Sequence, residues 1–462
     1  MSVSVPNGLA QPMADNIYGR TFWLSYAANL TMVAANAVTF RFADLVKHLG
    51  GSDLTSGQIV SAGTVGAIIS RFFLGPMLDR YGTRRVWAFS GVLFALACAT
   101  LMTCESISPV IFAARIAFAT GIAGMSTASI VHIQHEIPSH RRTEVIGNFG
   151  SSGFLGMVVG TLLGDGIYWL IADFDLQFEV MFGSAAALGL AVATLAILVT
   201  RGHAHVRPEV TPSLHRLLFR YWPGTIILVG MMIGVSLAVT TVFLTRMIKE
   251  RDLGGMSLFF FGYCGSAFAF RVASSSWSRV VGRRWLVLFG LSGHGFGHLL
   301  LANATEQWHL IIPAVTAGFG HAMLFPSVVS IGSGAFPKEY RGTGTTVVLG
   351  FTELGIVISG PILGAIIDVS RARGLADPFA PMFYASASFA MFAAIAYWWA
   401  SRGEIDDEQQ AAKDADAAQV LNADNFARVE IATRAGCGGV APRLRAELRS
   451  NSATGCEHGA QT

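Results

Sequence analysis

The sequence predicts an all-α integral membrane protein of about twelve transmembrane helices arranged as two pseudo-symmetric six-helix bundles. Three observations carry that expectation. The chain has 462 residues, 52% hydrophobic and only 13% charged, with a mean hydropathy of +0.52. Soluble domains carry about 25% charged residues, so this chain cannot cover a water-facing surface of its size, and its solvent must be largely lipid. Twelve apolar stretches approach the roughly 20 residues that a spanning helix requires. Residues also recur at one fixed offset between the two halves, the mark of an internal repeat.

The apolar stretches run over 22–46, 56–78, 86–104, 109–134, 145–171, 178–200, 222–248, 257–276, 285–304, 309–331, 345–369 and 382–400. The first, fifth and eleventh are long, which predicts tilt or an interfacial turn. They divide the chain into a bundle over 1–200, a connector over 201–221, a second bundle over 222–400 and a polar tail over 401–462. The tail is acidic near 406–408, basic near 443–449 and without an apolar period, so disorder or weak helicity is expected there. Residues 1–19 lack the apolar core and cleavage site of a removable signal, so the first span is expected to act as the targeting signal.

Basic residues set the orientation. Arg20, Arg80, Arg84, Arg85, Arg141, Arg142, Arg201, Arg207, Arg216, Arg220, Arg279, Arg283, Arg284, Lys338, Arg341 and Arg402 fall on one side. Lys47, Lys249, Arg251, Arg371 and Arg373 fall on the other, about a threefold difference. Both termini are therefore expected in the cytoplasm, with the chain in the cell (inner) membrane. The net charge of +3 is too small, and too scattered, to suggest nucleic acid. The five cysteines have neither metal-ligand spacing nor a disulfide framework. There is no phosphate-binding Gly-rich loop and no catalytic constellation, so neither ATP hydrolysis nor another enzyme activity is expected. The expected partners are the bilayer and a small-molecule or ion substrate, with no cofactor, no metal and a monomeric state.

The repeat has a register of 200 residues. Arg71 and Arg271, Gly82 and Gly282, Arg84 and Arg284, Arg141 and Arg341, Thr143 and Thr343, and Gly150 and Gly350 are each 200 apart. Gly160 and Gly360 and then Gly164 and Gly364 keep it, while an Ala-Val-Thr run at Ala37 recurs at Ala238. Such a duplication predicts two bundles about an axis along the membrane normal, with a binding site between them near the midplane.

The loop between the second and third spans reads Gly75-Pro-Met-Leu-Asp79-Arg80-Tyr-Gly82-Thr-Arg84-Arg85. Glycine at 75 and 82 permits close approach and a tight turn. Asp79, at a helix end, can accept hydrogen bonds from a neighbouring helix N-terminus and pair with an arginine. This loop resembles the signature loop of the major facilitator superfamily, a resemblance that covers residues 22–400. It implies a twelve-helix transporter fold in which the loop latches the halves in an outward-open state. The second-half loop keeps Gly282, Arg283 and Arg284 but has Arg279 where Asp79 stands, so the stronger latch is expected on the first-half side. Arg115 resembles the intramembrane arginine of the superfamily's second motif, with Ala119 where glycine is usual. It is either a coupling or gating charge or one half of a structural ion pair. Gly360-Pro361-x-x-Gly364 resembles part of the antiporter motif of drug exporters, but that motif belongs on the fifth span, where Thr161 replaces the proline. Close helix packing is the plainer reading of Gly156, Gly160, Gly164, Gly360 and Gly364.

Candidate site residues are polar groups at midplane depth. Arg71 lies eight residues before Asp79, about 12 Å along a helix, and Arg271 holds the same place in the second half. Two desolvated guanidiniums on one cavity repel unless anions lie between them. Their spacing is similar to that of nitrate/nitrite porters, whose paired arginines bind the anion, although the eleventh span lacks the matching asparagine. The alternative is internal satisfaction, with Glu353 pairing Arg71 across the halves. Glu353 is also a candidate proton carrier, as a buried carboxylate can be. Asn36 and His321 are further substrate candidates. His294 and His298, four apart, do not by themselves make a metal site.

These readings together lead to the expectation of a secondary active transporter working by alternating access on a small solute, with an anion leading, coupled to a proton or other ion gradient. Efflux of a drug-like or sugar-like compound is the second reading, and a transport-inactive membrane sensor the third. Asymmetries within the repeat, Asp79 against Arg279 and Gly153 against Glu353, are where latch and coupling are expected to be set.

Overall fold

Every long apolar stretch forms a helix, and no strand occurs among the described residues. The helices are α1 (Arg20–Val38), α2 (Asp53–Tyr81), α3 (Thr83–Met102), α4 (Pro109–Glu136), α5 (Arg142–Leu170), α6 (Phe174–Val199), α7 (Ile226–Glu250), α8 (Ser257–Ala273), α9 (Arg283–Ala302), α10 (Ile311–Gly334), α11 (Arg341–Ala372) and α12 (Ala380–Ala400). They belong to a computed structural model that describes residues 17–51, 53–202, 205, 212–253, 257–403 and 406–414. The basic tail segment near 443–449, Arg207, Cys437, Cys456 and most of residues 1–19 lie outside the described residues.

Ten of these helices are long and apolar enough to cross a membrane. The two that fall short are α1, which carries Ser25, Asn29, Thr31 and Asn36, and α8, which has 17 residues. Exposed Phe72, Phe73, Leu96, Phe392 and Ile395 form the outward, lipid-facing surface. Trp169 and Trp399, exposed at helix ends, sit where interfacial tryptophans gather.

The repeat is visible in the packing. Within the first half α1 packs on α5, α2 on α4, and α3 on α4 and α6. Within the second, α7 packs on α11, α8 on α10, and α9 on α10 and α12. Across the halves, α2 packs on α11 and α8 on α5, again a related pair. The repeated Ala-Val-Thr runs fall where two equivalent helices depart from regular geometry. The first span ends α1 at Val38 in a 3-10 turn, Thr39–Arg41, before a short helix Phe42–His48. In α7 the same place is a π segment, Val239–Phe243, a feature often found at functional sites.

Glycines explain the closest approach. A Cβ at Gly156 or Gly160 would lie 2.5 or 2.4 Å from the backbone oxygens of Leu30 and Ala34 on α1. The second half does not use Gly360 and Gly364 in this way. A Cβ on Gly360 meets nothing within 4 Å, and α7 and α11 instead touch through Gly234 and Gly355. The spacing rule found the correct helix but not the correct turn.

At the start of the tail the chain takes the weakly helical of the two forms its composition left open. Residues 407–414 are helical. Glu408 is buried against the bundle, and Asp406 is partly buried there. Polar composition leaves disorder and weak helicity both open there, because these side chains find their partners only through distant contacts.

Candidate functional site

The repeat places Arg71 on α2 and Arg271 on α8 in equivalent positions, but their surroundings differ. Arg71 Nε donates to Glu353 Oε2 at 2.7 Å and Nη2 donates to Oε1 at 2.5 Å. Its remaining Nη1 donates to Thr127 Oγ1 at 2.9 Å. This is a bidentate fork on a carboxylate, the strong geometry for arginine. It joins α2 of one half to α11 of the other, and the internal pair is therefore the arrangement adopted by Arg71.

Arg271 is 3% exposed and has no carboxylate partner among the described residues. Its Nη1 donates to the Gly147 carbonyl at 3.2 Å and Nη2 to the His321 carbonyl at 3.5 Å, while Nε is buried without a partner among the described residues. The guanidinium lies 5.2 Å from the ring centroid of Phe154 and 5.4 Å from that of Phe325. Cation–π contact offsets part of the desolvation cost, but a buried cation without a counter-charge still costs several kcal/mol. Glycine at 150 makes room for it, since a Cβ there would sit 1.9 Å from Arg271 Nη1.

Arg271 borders a cavity of about 270 Å³ between the halves. Aromatic and aliphatic carbon makes most of the wall, and Thr240 and Thr241 bring the π segment of α7 to it. His321 lines it as well, its ring stacked on Phe325 with centroids 5.6 Å apart. Asn36 does not line it. The polar α1 residue that does is Asn29, two turns earlier, which donates to Ser152 Oγ at 2.6 Å. A helical period identifies the face but not the depth, which is why Asn29 was missed. Arg71 and Glu353 are also absent from this wall.

Arg115 sits inside the first half, 4.7 Å from the Phe42 ring and 4.4 Å from the Phe118 ring, with Nη1 unpartnered among the described residues. It does not reach the central cavity. His294 and His298 lie behind His321, their ring centroids 6.3 Å apart. No group of three or more metal-ligating side chains occurs among the described residues.

The end of the bundle that carries the arginine-rich loops holds the second cluster. Gly82 has φ +81°, the left-handed region that glycine adopts freely, and turns α2 into α3. Close approach at Gly75 brings α2 onto α11, where a Cβ would lie 2.9 Å from Thr343 Cα. Asp79 Oδ2 accepts from the Thr343 amide at 3.1 Å and its hydroxyl at 2.5 Å, capping the N-terminus of α11 in the other half. Arg80, Arg84 and Arg85 are exposed on the same face.

In the second half Arg279 replaces the aspartate, and it pairs with Glu144 of α5 at 3.2 Å. The equivalent helix N-terminus, at Thr143, is nevertheless capped. Glu408 of the tail accepts from the Thr143 amide at 3.1 Å and its hydroxyl at 2.6 Å. Asp406 accepts from Arg283 Nε at 2.7 Å and from its amide at 2.6 Å. Burial pushes the Glu408 carboxyl above its ordinary range, opposed by Arg283 and the Thr143 bonds. The carboxylate that this second-half loop lacks is thus supplied from the tail.

A sequence profile of the major facilitator superfamily matches residues 22–278 and again 226–441. The niacin transporter NiaP of Acinetobacter baylyi is 25% identical over 185 residues, 39% of this chain and 41% of that protein. The match thus spans less than half of that relative's length. The uncharacterised transporter YhhS of Escherichia coli is 24% identical over 349 residues, 69% of this chain and 78% of that protein. Among solved structures, the fucose:proton symporter FucP of E. coli has a TM-score of 0.64 at 17% identity, covering 82% of this chain and 98% of its own. The human organic anion transporter TETRAN has a TM-score of 0.64 at 14% identity, covering 82% and 99%. These structures share the fold. From the profile, the paired bundles and the signature loop, the chain belongs to the major facilitator superfamily, and its family and fold are those of membrane transporters.

Proposed function

We propose that this chain is a secondary active transporter that carries a small organic anion by alternating access, with Arg271 as its anchor. The observation that supports this most is the contrast within the repeat: among the described residues Arg71 has a carboxylate on its fork, and Arg271, beside the central cavity, has none. A bound anion supplies the missing charge, and its desolvation is repaid by a cation already stripped of water. The loop-rich basic end faces the cytoplasm of the inner membrane with both termini, by the positive-inside rule. Asp79, Glu408 and the Arg279–Glu144 pair hold that end shut in this conformation. A second cavity, which shares Met157 and Phe260 with the first, continues toward the opposite end near Asp165. On this reading it is the path between Arg271 and that end of the bundle.

The printed names of two similar proteins, one for niacin and one for organic anions, agree with this reading. A neutral sugar or drug would leave Arg271 uncompensated. The test is uptake by the purified, full-length protein in proteoliposomes, offering labelled benzoate, nitrate and fucose with and without a pH gradient. Accumulation of an anion, raised by the gradient, is expected. Accumulation of fucose and neither anion would contradict the proposal.

A further inference from the structure

Resting on that anion reading, we infer that the substrate is a monocarboxylate with a compact aromatic or alicyclic body, and that Gly153 marks where its carboxylate sits. The duplicated half supplies the template. On α11 the residue that fills the Nε–Nη2 edge of Arg71 is Glu353. The residue 200 earlier, on α5, is Gly153. The corresponding edge of Arg271 is the one left open, with Nε unpartnered and Nη2 held only by a 3.5 Å contact to a carbonyl. The space of the absent side chain is vacant, since a Cβ on Gly153 would meet only Val33 Cγ2 at 3.9 Å. Gly150, Gly153 and Arg271 all border the same cavity.

Charge and shape narrow the class. Arg271 is the one Lys or Arg among the lining residues, so a second anionic group on the substrate would find no counter-charge there. Phe149, Phe154, Phe260, Tyr263 and Phe325 offer faces and edges to a ring. The volume of about 270 Å³ lies below the roughly 300–1,000 Å³ of pockets that take drug-sized ligands. A ring carrying one carboxylate meets all of these conditions.

The experiment measures binding of benzoate, benzamide, phthalate and nitrate to the purified full-length protein, by thermal shift and by competition with labelled benzoate. Benzoate is expected to bind at least about tenfold more tightly than the other three. Gly153→Glu is expected to weaken benzoate at least about a hundredfold, because its own carboxylate occupies the fork. It is also expected to melt no lower than Gly153→Gln, since it satisfies Arg271. Benzoate binding to Gly153→Glu at wild-type strength overturns the assigned seat. Phthalate or nitrate binding more tightly than benzoate, yet lost in Arg271→Gln, overturns the substrate class and leaves the anion reading standing. Binding that survives Arg271→Gln overturns the anion reading itself.

Independently, at the basic end, we infer that the tail segment 406–414 is a removable clasp, with Glu408 doing for the second half what Asp79 does for the first. Asp79 reaches from the first half to Thr343, and Glu408 reaches from beyond the second half to Thr143, the residue 200 before Thr343. Asp406 and Ser330 tie the clasp to the second half, through Arg283 and through a 3.2 Å bond to Glu408 Oε2. A carboxylate built into the loop, like Asp79, travels with its bundle; one on a segment that follows the last span can be withdrawn while both bundles stay intact. The test places single cysteines, Ser278→Cys behind the clasp and Thr161→Cys on α5 toward the opposite end, in a chain freed of its five native cysteines. With Glu408→Lys added, thiol labelling at Ser278→Cys is expected to rise at least about fivefold while labelling at Thr161→Cys falls. Unchanged labelling at both sites, or a rise at both, overturns the clasp.

Discussion

Glu353→Gln is expected to cost about 3–5 kcal/mol of stability and to lower the yield of folded protein sharply. The side chains of Arg71 and Glu353 are 8% and 21% exposed, so removing the carboxylate's charge strands a largely buried guanidinium. The loss is not that of two hydrogen bonds alone, because the cost of desolvating Arg71 is no longer repaid. Replacing both partners, Arg71→Met with Glu353→Met, is expected to recover most of the stability, as apolar groups of similar volume pack where a buried pair stood. Thermal unfolding of the purified protein in detergent checks both variants. A single variant that melts with the wild type would show that the pair contributes nothing to the fold.

Arg271→Ala is expected to have the opposite effect on stability and a larger one on ligand. Because no carboxylate among the described residues depends on Arg271, its removal relieves an uncompensated charge, and the melting temperature is expected to hold or rise. Two charge-assisted hydrogen bonds to a bound carboxylate contribute about 1.5–3 kcal/mol each. Their loss is expected to weaken an anionic substrate at least about a hundredfold, at 1.4 kcal/mol per tenfold. Arg271→Lys keeps the charge without the planar fork and is expected to bind at an intermediate level. Equilibrium binding of labelled benzoate, with melting curves of the same preparations, measures both. Equivalent arginines of one repeat, one stabilising and one not, are the thermodynamic signature of one site filled by the protein and the other left for substrate.

Much of this was legible in the sequence because duplication is recorded in residue identity. The 200-residue register related Arg71 to Arg271 and set Gly153 against Glu353 and Asp79 against Arg279. What the register could not give was how each asymmetry is resolved. That Glu353 grips Arg71 with both oxygens depends on α2 meeting α11, a contact between residues 282 apart. Asn36 and Asn29 share a helical face at two turns' separation, and only packing reveals which reaches the cavity. The docking of Glu408 was hidden for the same reason, as its partner Thr143 lies 265 residues away. The interruption of α1 and α7 was signalled only as a repeated Ala-Val-Thr run, whose composition does not encode a helix defect.

The central claim, that Arg271 is left open for a substrate carboxylate whereas Arg71 is closed by Glu353, is tested most directly by locating a bound anion. A structure of the full-length protein saturated with benzoate is expected to place the carboxylate within about 3 Å of Arg271 Nε and Nη2, over Gly153, with the Arg71–Glu353 pair unbroken. Benzoate found on Arg71 with Glu353 displaced, or bound away from both arginines, would contradict it.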